Sequence, residues 1–352
     1  MNTSRHFDLS ICITTFNRAN LIGATLESIV TQITDNCEIV VLDGASTDNT
    51  EEVVRAYAEA YKNVRYVRES SNSGVDRGYD LAVEHAYGDY CWLMSDDDII
   101  KKGGLATMMM AIRGDFCLIV ANLEIVDITM SKVLKKKCID IDSDRIYRST
   151  DADALFTALG LLVAVCSCIV IKRSMWRERE RELYFGSLLI ISWVILQRAL
   201  PGNTLVIADP IVSYRANNTH TFFARGFETL MVTWPSVVWS SHLSKSAKEQ
   251  ICKAEPWRNV LQLLTHRAMG GYSLTEYRRF LKPRLQGDRS KWVFWLVGAS
   301  PGVLVNTIFV LYYTLIKRDP VTLLPELRMS RFYLPNFGAF RLGRLGDAQN
   351  TR

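Results

Sequence analysis

The sequence of 352 residues lacks the cysteine spacing on which zinc sites and disulfide frameworks depend. Its eight cysteines include no C-x-x-C pair, and most of them stand inside apolar runs of the kind that form strands. Zinc sites and disulfide frameworks need clustered cysteines at repeated spacings. We therefore interpret the cysteines as small buried hydrophobic residues of a protein in a reducing compartment.

The sequence also lacks internal repeats, low-complexity segments and an apolar signal region at its start. The first residues, Met1 to Asp8, are polar, so we expect the chain to begin in the cytosol. A disordered chain is excluded because hydrophobic residues make up 48% of the sequence and charged residues 22%. The length is enough for one large domain or two ordinary ones.

Charge is distributed unevenly along the chain. The whole sequence has 42 Lys and Arg residues against 37 Asp and Glu, which gives a net charge of +5. Residues 257–352 contain 15 basic and 5 acidic residues, whereas residues 1–256 contain 27 basic and 32 acidic residues. The sequence therefore joins an acidic body to a basic tail.

The first 125 residues alternate apolar runs with segments of helical periodicity. Leu9–Thr14 and Tyr90–Met94 are runs typical of buried strands, and the segments between such runs have the spacing of amphipathic helices. This alternation predicts an α/β fold with a doubly wound, mostly parallel sheet. Ligands bind beyond the carboxyl ends of the strands in such sheets. We therefore expect the loops at 14–18, 43–48 and 95–98 to share one crevice.

Three consecutive carboxylates follow the predicted strand Tyr90–Met94. Asp96, Asp97 and Asp98 carry like charges that repel at this spacing, and a divalent cation would offset the repulsion. Mg²⁺ and Mn²⁺ prefer carboxylate oxygens and commonly bridge phosphate oxygens as well. The motif therefore predicts a site for a metal and a diphosphate. The alternative is a polar turn in which Asp98 caps the next helix.

The two other loops carry groups that suit a nucleotide. The first has the hydroxyl, amide and guanidinium groups of Thr14, Thr15, Asn17 and Arg18. Such groups can hydrogen-bond a base, and a guanidinium binds phosphate well. Helix capping is the structural alternative for this loop. In the second loop, Asp43 could accept a hydrogen bond from a ribose hydroxyl or a base N–H.

Three motifs, in this order and spacing, resemble bacterial glycosyltransferase family 2, which has the GT-A fold. They are SICITTFNRA, IVVLDGASTDNT and SNSGVDRGYDLAVEHAYGDYCWLMSDDD. The resemblance covers residues 8–125 well and residues 126–215 loosely. The third motif further resembles transferases of O-antigen and other surface polysaccharides, of the abequosyltransferase-like type.

The resemblance implies donor-binding roles for the matching residues. The loop that lines the nucleotide in the family corresponds to Thr14, Thr15, Asn17 and Arg18. Asp43 matches the acidic residue that recognises the base or the ribose. Arg77 falls where family members contact the donor sugar or phosphate, and Arg215 matches a basic residue that faces the diphosphate. For Arg215 the alternative is a surface ion pair.

The acidic motif matches the metal-binding DxD element of the family. The resemblance therefore implies Mg²⁺ or Mn²⁺ as the cofactor, and its candidate ligands are Asp96, Asp97 and Asp98. Asp96 is also a candidate for binding the sugar donor. The family pattern can be aligned on Asp96 or on Asp98, so the pair that contacts the metal stays open.

The sequence departs from the family at the general base. Inverting members supply it from an ED pair at the start of a late helix, but here that region reads Tyr184-Phe185-Gly186-Ser187. The candidate catalytic residues are Asp76, from the third motif, and Glu182, for which a solvated surface charge is the alternative. Glu124 and Asp127 are further candidates. Inverting and retaining chemistry both stay open.

The tail contains two apolar segments, Trp292–Ala299 and Val303–Ile316, separated by Ser300-Pro301-Gly302. Each is shorter than the roughly 20 residues that span a bilayer. Basic flanks and aromatic residues favour a membrane interface, and a buried hairpin is the alternative. We predict a catalytic domain at 1–220, a helical extension at 221–290 and a membrane-associating tail at 291–352.

These observations predict a metal-dependent glycosyltransferase that acts in surface polysaccharide or O-antigen synthesis. It would move a sugar, for example a deoxyhexose, from a nucleotide-diphosphate sugar to a lipid-linked saccharide at the cytoplasmic face of the inner membrane. One alternative is a polyprenyl-phosphate sugar transferase, and another is a non-catalytic nucleotide-sugar-binding scaffold. We expect no nucleic-acid partner, because the basic residues of the tail interleave with apolar runs.

Overall fold

The computed structural model describes residues 6–216, 225–317 and 323–335. These residues form two compact units. The first comprises residues 6–216 and 229–255, and the second comprises residues 225–228, 256–317 and 323–335. Residues 229–255, which the sequence analysis assigned to a helical extension, are thus grouped with the first unit. The last part of the predicted tail, residues 336–352, lies outside the described residues.

The described part of the first unit is built on one ten-stranded sheet. Its strands are β1 (Phe7–Thr15), β2 (Cys37–Asp43), β3 (Val64–Arg68), β4 (Gly88–Met94), β5 (Ile99–Ile100), β6 (Leu118–Val126), β7 (Val133–Lys135), β8 (Arg145–Tyr147), β9 (Ile169–Lys172) and β10 (Thr204–Arg215). Its helices are α1 (Ile22–Val30), α2 (Thr50–Ala60), α3 (Val75–His85), α4 (Gly104–Ala111), α5 (Ala152–Leu159), α6 (Arg173–Arg177), α7 (Ile190–Leu196), α8 (Trp234–Ser240) and α9 (Lys245–Ile251).

The strand order along the main path of the sheet is β3-β2-β1-β4-β9-β6-β10-β5. Strands β1 to β4 are parallel to one another, and helices α1 to α3 connect them along the chain. The predicted α/β fold with a doubly wound parallel sheet is confirmed for this half. Beyond β4 the sheet is mixed, because β9 runs antiparallel to both β4 and β6.

Hydrophobic burial explains why these segments form strands and helices. Every residue of β2 is buried, which is typical of a central parallel strand. In α1 the buried residues Ile22, Leu26 and Ile29 recur at helical spacing. Five of the eight cysteines are buried and all eight are free thiols, in agreement with their interpretation as small hydrophobic residues.

The register of the strands decides where their polar loops emerge. Thr15 at the end of β1 lies opposite Asp43 at the end of β2. On the other side of β1, Ile13 lies opposite Met94, the last residue of β4. The loops that follow these strands therefore leave the sheet at the same edge, as the sequence predicted.

The described part of the second unit is helical. Its main helices are α10 (Val260–Met269), α11 (Lys291–Ala299), α12 (Gly302–Tyr312) and α13 (Leu323–Met329), and single turns of helix occur at Gly226–Glu228 and Leu274–Glu276. Within the described ranges, no single helix has both the length and the apolar character to cross a membrane. A pair bent by 89°, Lys291–Ala299 with Gly302–Lys317, meets those criteria by length and composition.

Candidate active site

The first two loops at the sheet edge are joined by Asn17. This residue has a left-handed backbone conformation with φ of +56°, which Asn tolerates better than most residues. Its side-chain oxygen accepts hydrogen bonds from the backbone N–H of Thr47 at 2.7 Å and of Asp48 at 3.3 Å. The Arg18 N–H donates to the Thr50 hydroxyl at 2.8 Å. Asn17, a predicted nucleotide ligand, thus fixes the loop from β2 against the loop from β1.

Asp43, the predicted base or ribose ligand, is fully buried beneath the second loop. One carboxylate oxygen accepts from the N–H and the hydroxyl of Ser46, at 2.8 and 2.6 Å. The other accepts from the Tyr66 hydroxyl at 2.5 Å and from Arg68 at 3.1 Å. Burial, together with the hydrogen bond to Asp43, raises the pKa of Tyr66 to about 12. Asp43 therefore holds the loop in shape, and both of its oxygens are already engaged.

The acidic loop after β4 is buried, with exposed fractions of 7% for Asp96, 4% for Asp97 and 0% for Asp98. Burial raises the pKa of Asp96 to about 7, the charge of Asp97 adds to the rise, and Arg18 opposes it. Burial and the charge of Asp97 likewise raise the pKa of Asp98 to about 7. The Arg18 Nε lies 3.7 Å from an Asp96 oxygen. The loop therefore concentrates negative charge where a cation would stabilise the ionised forms.

Asp98 differs from its neighbours because both of its oxygens bind the protein. One accepts from the Ser167 hydroxyl at 2.5 Å, and the other accepts from the Arg215 N–H at 2.9 Å. The Ser167 oxygen in turn accepts the N–H of Ser95 at 3.1 Å. Ser95 also donates its hydroxyl to Asp97. Ser167 thus connects both ends of the acidic loop, a role that could not be predicted from the sequence.

Arg215 braces the acidic loop from β10. Its Nε donates to the Asp97 carbonyl at 3.0 Å, and one terminal nitrogen donates to the Ile128 carbonyl at 2.5 Å. The side chain is buried, with 7% of the residue exposed. The predicted contact with diphosphate would use the part of the guanidinium that these bonds leave available. A surface ion pair, the alternative for Arg215, is wrong because the residue is buried and donates to carbonyls.

The carboxylates of the acidic loop could supply only some of the ligands that a metal ion needs. Among residues 6–216, 225–317 and 323–335, no group of three or more His, Cys, Asp or Glu side chains could hold a metal ion. Both oxygens of Asp98 accept hydrogen bonds from the protein, and Asp97 accepts one from Ser95. Mg²⁺ commonly takes one or two carboxylates and completes its shell with water and substrate phosphates. The buried carboxylates of this loop suit that arrangement.

Asp76 lies at the start of α7 rather than free in the crevice. Its two oxygens accept from the N–H groups of Leu188, at 2.7 Å, and Ile190, at 3.1 Å. Only 3% of the residue is exposed, and burial raises the pKa of the carboxyl above its ordinary value. The structure therefore brings a carboxylate from α3 to the helix start at which the sequence has no ED pair.

Arg77 is tied to a buried acid. Its guanidinium donates to Asp80 at 2.7 Å and stacks over the ring of Phe185. The other oxygen of Asp80 accepts from Arg181 at 2.6 Å and from the Trp176 indole at 3.0 Å. About a third of Arg77 stays exposed, so a donor phosphate could still reach it. Asp80 and Arg181 are residues of this network that the sequence analysis missed.

The remaining acidic candidates differ in environment. Glu182 is exposed at the start of the turn Glu182–Tyr184. Glu124 accepts from Ser213 at 2.7 Å and pairs with Lys101 at 2.9 Å. Burial tends to raise the pKa of Glu124, but these two partners outweigh it, and the pKa is lowered. A lowered pKa makes Glu124 a weaker base.

Parallel strands that end in two polar loops and a buried acidic loop are typical of an α/β domain of the GT-A type. The structure of the S. aureus protein TarS, solved with UDP-GlcNAc, is similar to this one with a TM-score of 0.52 and 14% sequence identity. The alignment covers 87% of this chain and 81% of the TarS chain. A mannosyltransferase from Pyrobaculum calidifontis, solved with GDP-Man and Mn²⁺, aligns with 89% and 88% at 16% identity and a TM-score of 0.50. Similarity at these identities establishes the fold.

Residues 10–180, just under half of the chain, match the model of Glycosyl transferase family 2. The abequosyltransferase RfbV of Salmonella typhimurium is 40% identical over 103 residues, which are 28% of this chain and 31% of RfbV. A Campylobacter jejuni enzyme, GalNAc(5)-diNAcBac-PP-undecaprenol beta-1,3-glucosyltransferase, is 27% identical over 138 residues, 39% of this chain and 45% of that protein. The chain spans about a third of the length of the first curated relatives it matches. The family resemblance seen in the motifs is confirmed.

Proposed function

We propose that the protein is a glycosyltransferase that moves a sugar from a nucleotide-diphosphate sugar to a lipid-linked saccharide in surface polysaccharide synthesis. The observation that carries the proposal is the buried acidic loop beside two interlocked polar loops at one sheet edge. The similar abequosyltransferase supports sugar transfer, and the similar glucosyltransferase, named for an undecaprenol-linked saccharide, supports the acceptor class. The proposed acceptor would put the enzyme at the cytoplasmic face of the inner membrane.

The proposed donor site uses the two interlocked loops and the acidic loop. Thr14, Thr15 and Arg18 would contact the nucleotide and its phosphates, while Asn17 and Asp43 hold the loops in position. Mg²⁺ or Mn²⁺, when bound, would neutralise charge that develops on the leaving diphosphate. Its protein ligands would be Asp96 and Asp97. The Mn²⁺ in the complex of the Pyrobaculum enzyme supports this cofactor.

Asp76 is our candidate for the general base. Its carboxylate lies at the start of α7, where it accepts two backbone N–H groups and also the Ser187 hydroxyl at 3.4 Å. A carboxylate has about four acceptor sites, so an acceptor hydroxyl would share or displace these donors. The raised pKa of Asp76 favours proton transfer to it. Glu182, which is exposed and lies close in sequence to α7, is the second candidate.

Ligand-dependent thermal stabilisation tests the donor. We would screen CDP-, UDP-, GDP- and dTDP-sugars with and without Mg²⁺ or Mn²⁺, because a ligand stabilises only the folded protein that binds it. The expected result is a shift with one base, increased by the metal. The preferred donor is then offered with an undecaprenol-linked saccharide and, separately, with polyprenyl phosphate. Transfer only to the phosphate would replace the proposed acceptor, and donor binding without any transfer would support the scaffold alternative.

A further inference from the structure

The second unit presents a large apolar surface to solvent. Ten large apolar or aromatic residues between 292 and 316 have exposed fractions from 38% to 70%. The largest contributions come from Trp292, Leu304, Ile308, Leu315 and Ile316. Monomeric soluble proteins rarely expose contiguous apolar surface on this scale unless it binds something.

The opposite side of the same helices is a packed core. Val305 and Val310 of α12 are buried against Ala268 of α10 and Leu327 of α13. In α11, Phe294 is buried in edge-to-face contact with Trp257. Each helix therefore has one face in the core of the unit and one apolar face left over. Folding of the unit accounts for the first face and leaves the second unexplained.

Buried hydrogen bonds fix the 89° bend between α11 and α12. At the bend, the Ser300 carbonyl accepts two hydrogen bonds from the Arg267 guanidinium, at 2.9 and 2.5 Å. A third Arg267 nitrogen donates to the Tyr272 carbonyl at 3.1 Å. The Asn306 amide donates to the carbonyls of Ala268 and Leu327, at 3.0 and 2.8 Å. Straightening the pair would break the Arg267 bonds to Ser300 and leave a buried guanidinium without them.

The helix lengths agree with a surface position. Helix α11 contains 9 residues, and α12 with the π-helical turn that continues it, Gly302–Lys317, contains 16, whereas a spanning helix needs about 20. Two short helices at a right angle suit the plane of a membrane surface, with apolar side chains inserted to the depth of the headgroups. Trp292, Trp295 and Tyr312 belong to the residue types that occupy this interfacial region.

The charge before α11 indicates which kind of lipid surface the unit would bind. Six basic residues precede or begin α11, and all of them are exposed: Arg278, Arg279, Lys282, Arg284, Arg289 and Lys291. The acidic residue in that stretch, Asp288, is paired with Arg258 at 2.7 Å. Clustered basic residues next to an interfacial helix attract anionic lipids.

We propose that the α11–α12 bend is an in-plane docking surface for an anionic lipid bilayer. The apolar face of the two helices enters the headgroup region, and the basic residues before α11 contact anionic headgroups. The proposal concerns the second unit alone and does not depend on the transfer reaction. Failure of lipid binding would leave the proposed transferase activity untouched, and loss of donor binding would leave this proposal untouched.

Flotation of the full-length protein with vesicles tests the proposal. Vesicles of phosphatidylcholine alone are compared with vesicles containing about a third phosphatidylglycerol, an anionic lipid. We expect strong binding to the anionic vesicles and a loss on the order of tenfold or more in the double variant Trp295→Glu, Leu304→Glu. The matched control is Met110→Glu, Leu183→Glu, which adds the same charges at exposed apolar residues of the first unit and should bind like the wild type.

Several outcomes would overturn the docking surface. Wild-type protein that stays unbound with anionic vesicles contradicts it directly. Binding that disappears in high salt but is unchanged in the Trp295→Glu, Leu304→Glu variant would mean charge attraction without insertion. A stable dimer by light scattering that the same variant dissociates would make a second copy the occupant. Resistance of membrane-bound protein to alkaline extraction would indicate a spanning arrangement. Thermal unfolding of each variant establishes that it is folded.

Discussion

The two units hold opposite kinds of unfavourable group. The first unit buries three consecutive carboxylates, whereas the second exposes a row of large apolar side chains. Buried like charges and exposed apolar surface both oppose folding when nothing binds them. In the first unit the proposed remedy is a cation with a diphosphate, and in the second it is a lipid surface. In each unit, the feature that opposes folding therefore indicates the proposed ligand.

The largest expected effect concerns Asp96 and Asp97, the proposed metal ligands in the acidic loop of the first unit. We expect Asp96→Asn and Asp97→Asn each to lower kcat/KM for sugar transfer by about a hundredfold or more, because charge stabilisation at the diphosphate is lost. The thermal midpoint should stay equal or rise, since each change removes a buried negative charge. Asp35→Asn, at an exposed residue, is the control for kcat/KM. Full activity of both variants, with and without a chelator, would remove the metal from the proposal.

Asp98 should behave as a structural residue. Asp98→Ala leaves the Ser167 hydroxyl and the Arg215 N–H without their acceptor. We expect the free energy of unfolding to fall by about 2–4 kcal/mol, measured by urea denaturation. Asp98→Asn keeps an acceptor of similar size and should lose less. An Asp98→Ala protein as stable as the wild type would show that these bonds contribute little.

Buried groups of the two units should contribute to stability with opposite pH dependence. The pKa values of Asp96 and Asp98 rise from 3.8 to about 7 on folding, so the folded first unit binds protons more tightly at these two groups. The stability that these two groups contribute is therefore complete in acid and is lost as pH rises from about 4 to about 7. In the second unit, burial lowers the pKa of His266 from 6.5 to about 4. That contribution is complete above pH 6.5 and is lost as pH falls towards 4.

Hydrogen exchange between pH 5 and 8, resolved by peptide and corrected for intrinsic rates, measures these slopes separately. Asp96→Asn should flatten the slope of the first unit, and His266→Gln should flatten that of the second. Mg²⁺ should also reduce the decline of the first unit above pH 6 by stabilising the ionised carboxylates. Slopes of the same sign in both units would contradict the assignment of opposite buried groups.

The smallest effect concerns the second loop. Ala45 has φ of +61°, a left-handed conformation that favours glycine. Ala45→Gly should raise the stability of the first unit by up to about 1 kcal/mol, measured by thermal unfolding. Ala24→Gly in the exposed face of α1 is the opposite control and should cost about 1 kcal/mol. Destabilisation by both changes would mean that Ala45 is not strained.

The sequence predicted the features that depend on local pattern. The apolar runs of β1, β2 and β4 and the polar residues after them were sufficient to bring three loops to one edge. Likewise, Ser300-Pro301 marked the break between the apolar helices. These features follow from periodicity and from turn chemistry, which are properties of neighbouring residues.

Contacts between distant segments were not predictable. Asp43 binds Tyr66 and Arg68 from β3, and Asp98 binds Ser167, which lies 69 residues away. A serine in an apolar run gives no sign of the carboxylate it will meet. The antiparallel direction of β9 was not predicted for the same reason, because strand direction beyond β4 depends on tertiary packing. Asp76 was predicted as a candidate catalytic residue, but its contacts at the start of α7 required the structure.

The hydrogen bonds of Asn17 limit how the proposed donor preference of this protein could be changed by engineering. Because its side chain accepts from Thr47 and Asp48, replacing residues 43–48 alone with a loop from another transferase would remove the partners of an unchanged residue. Replacing residues 14–18 alone would do the same to the second loop. The two segments therefore form the smallest exchangeable module, and a graft should transfer them together.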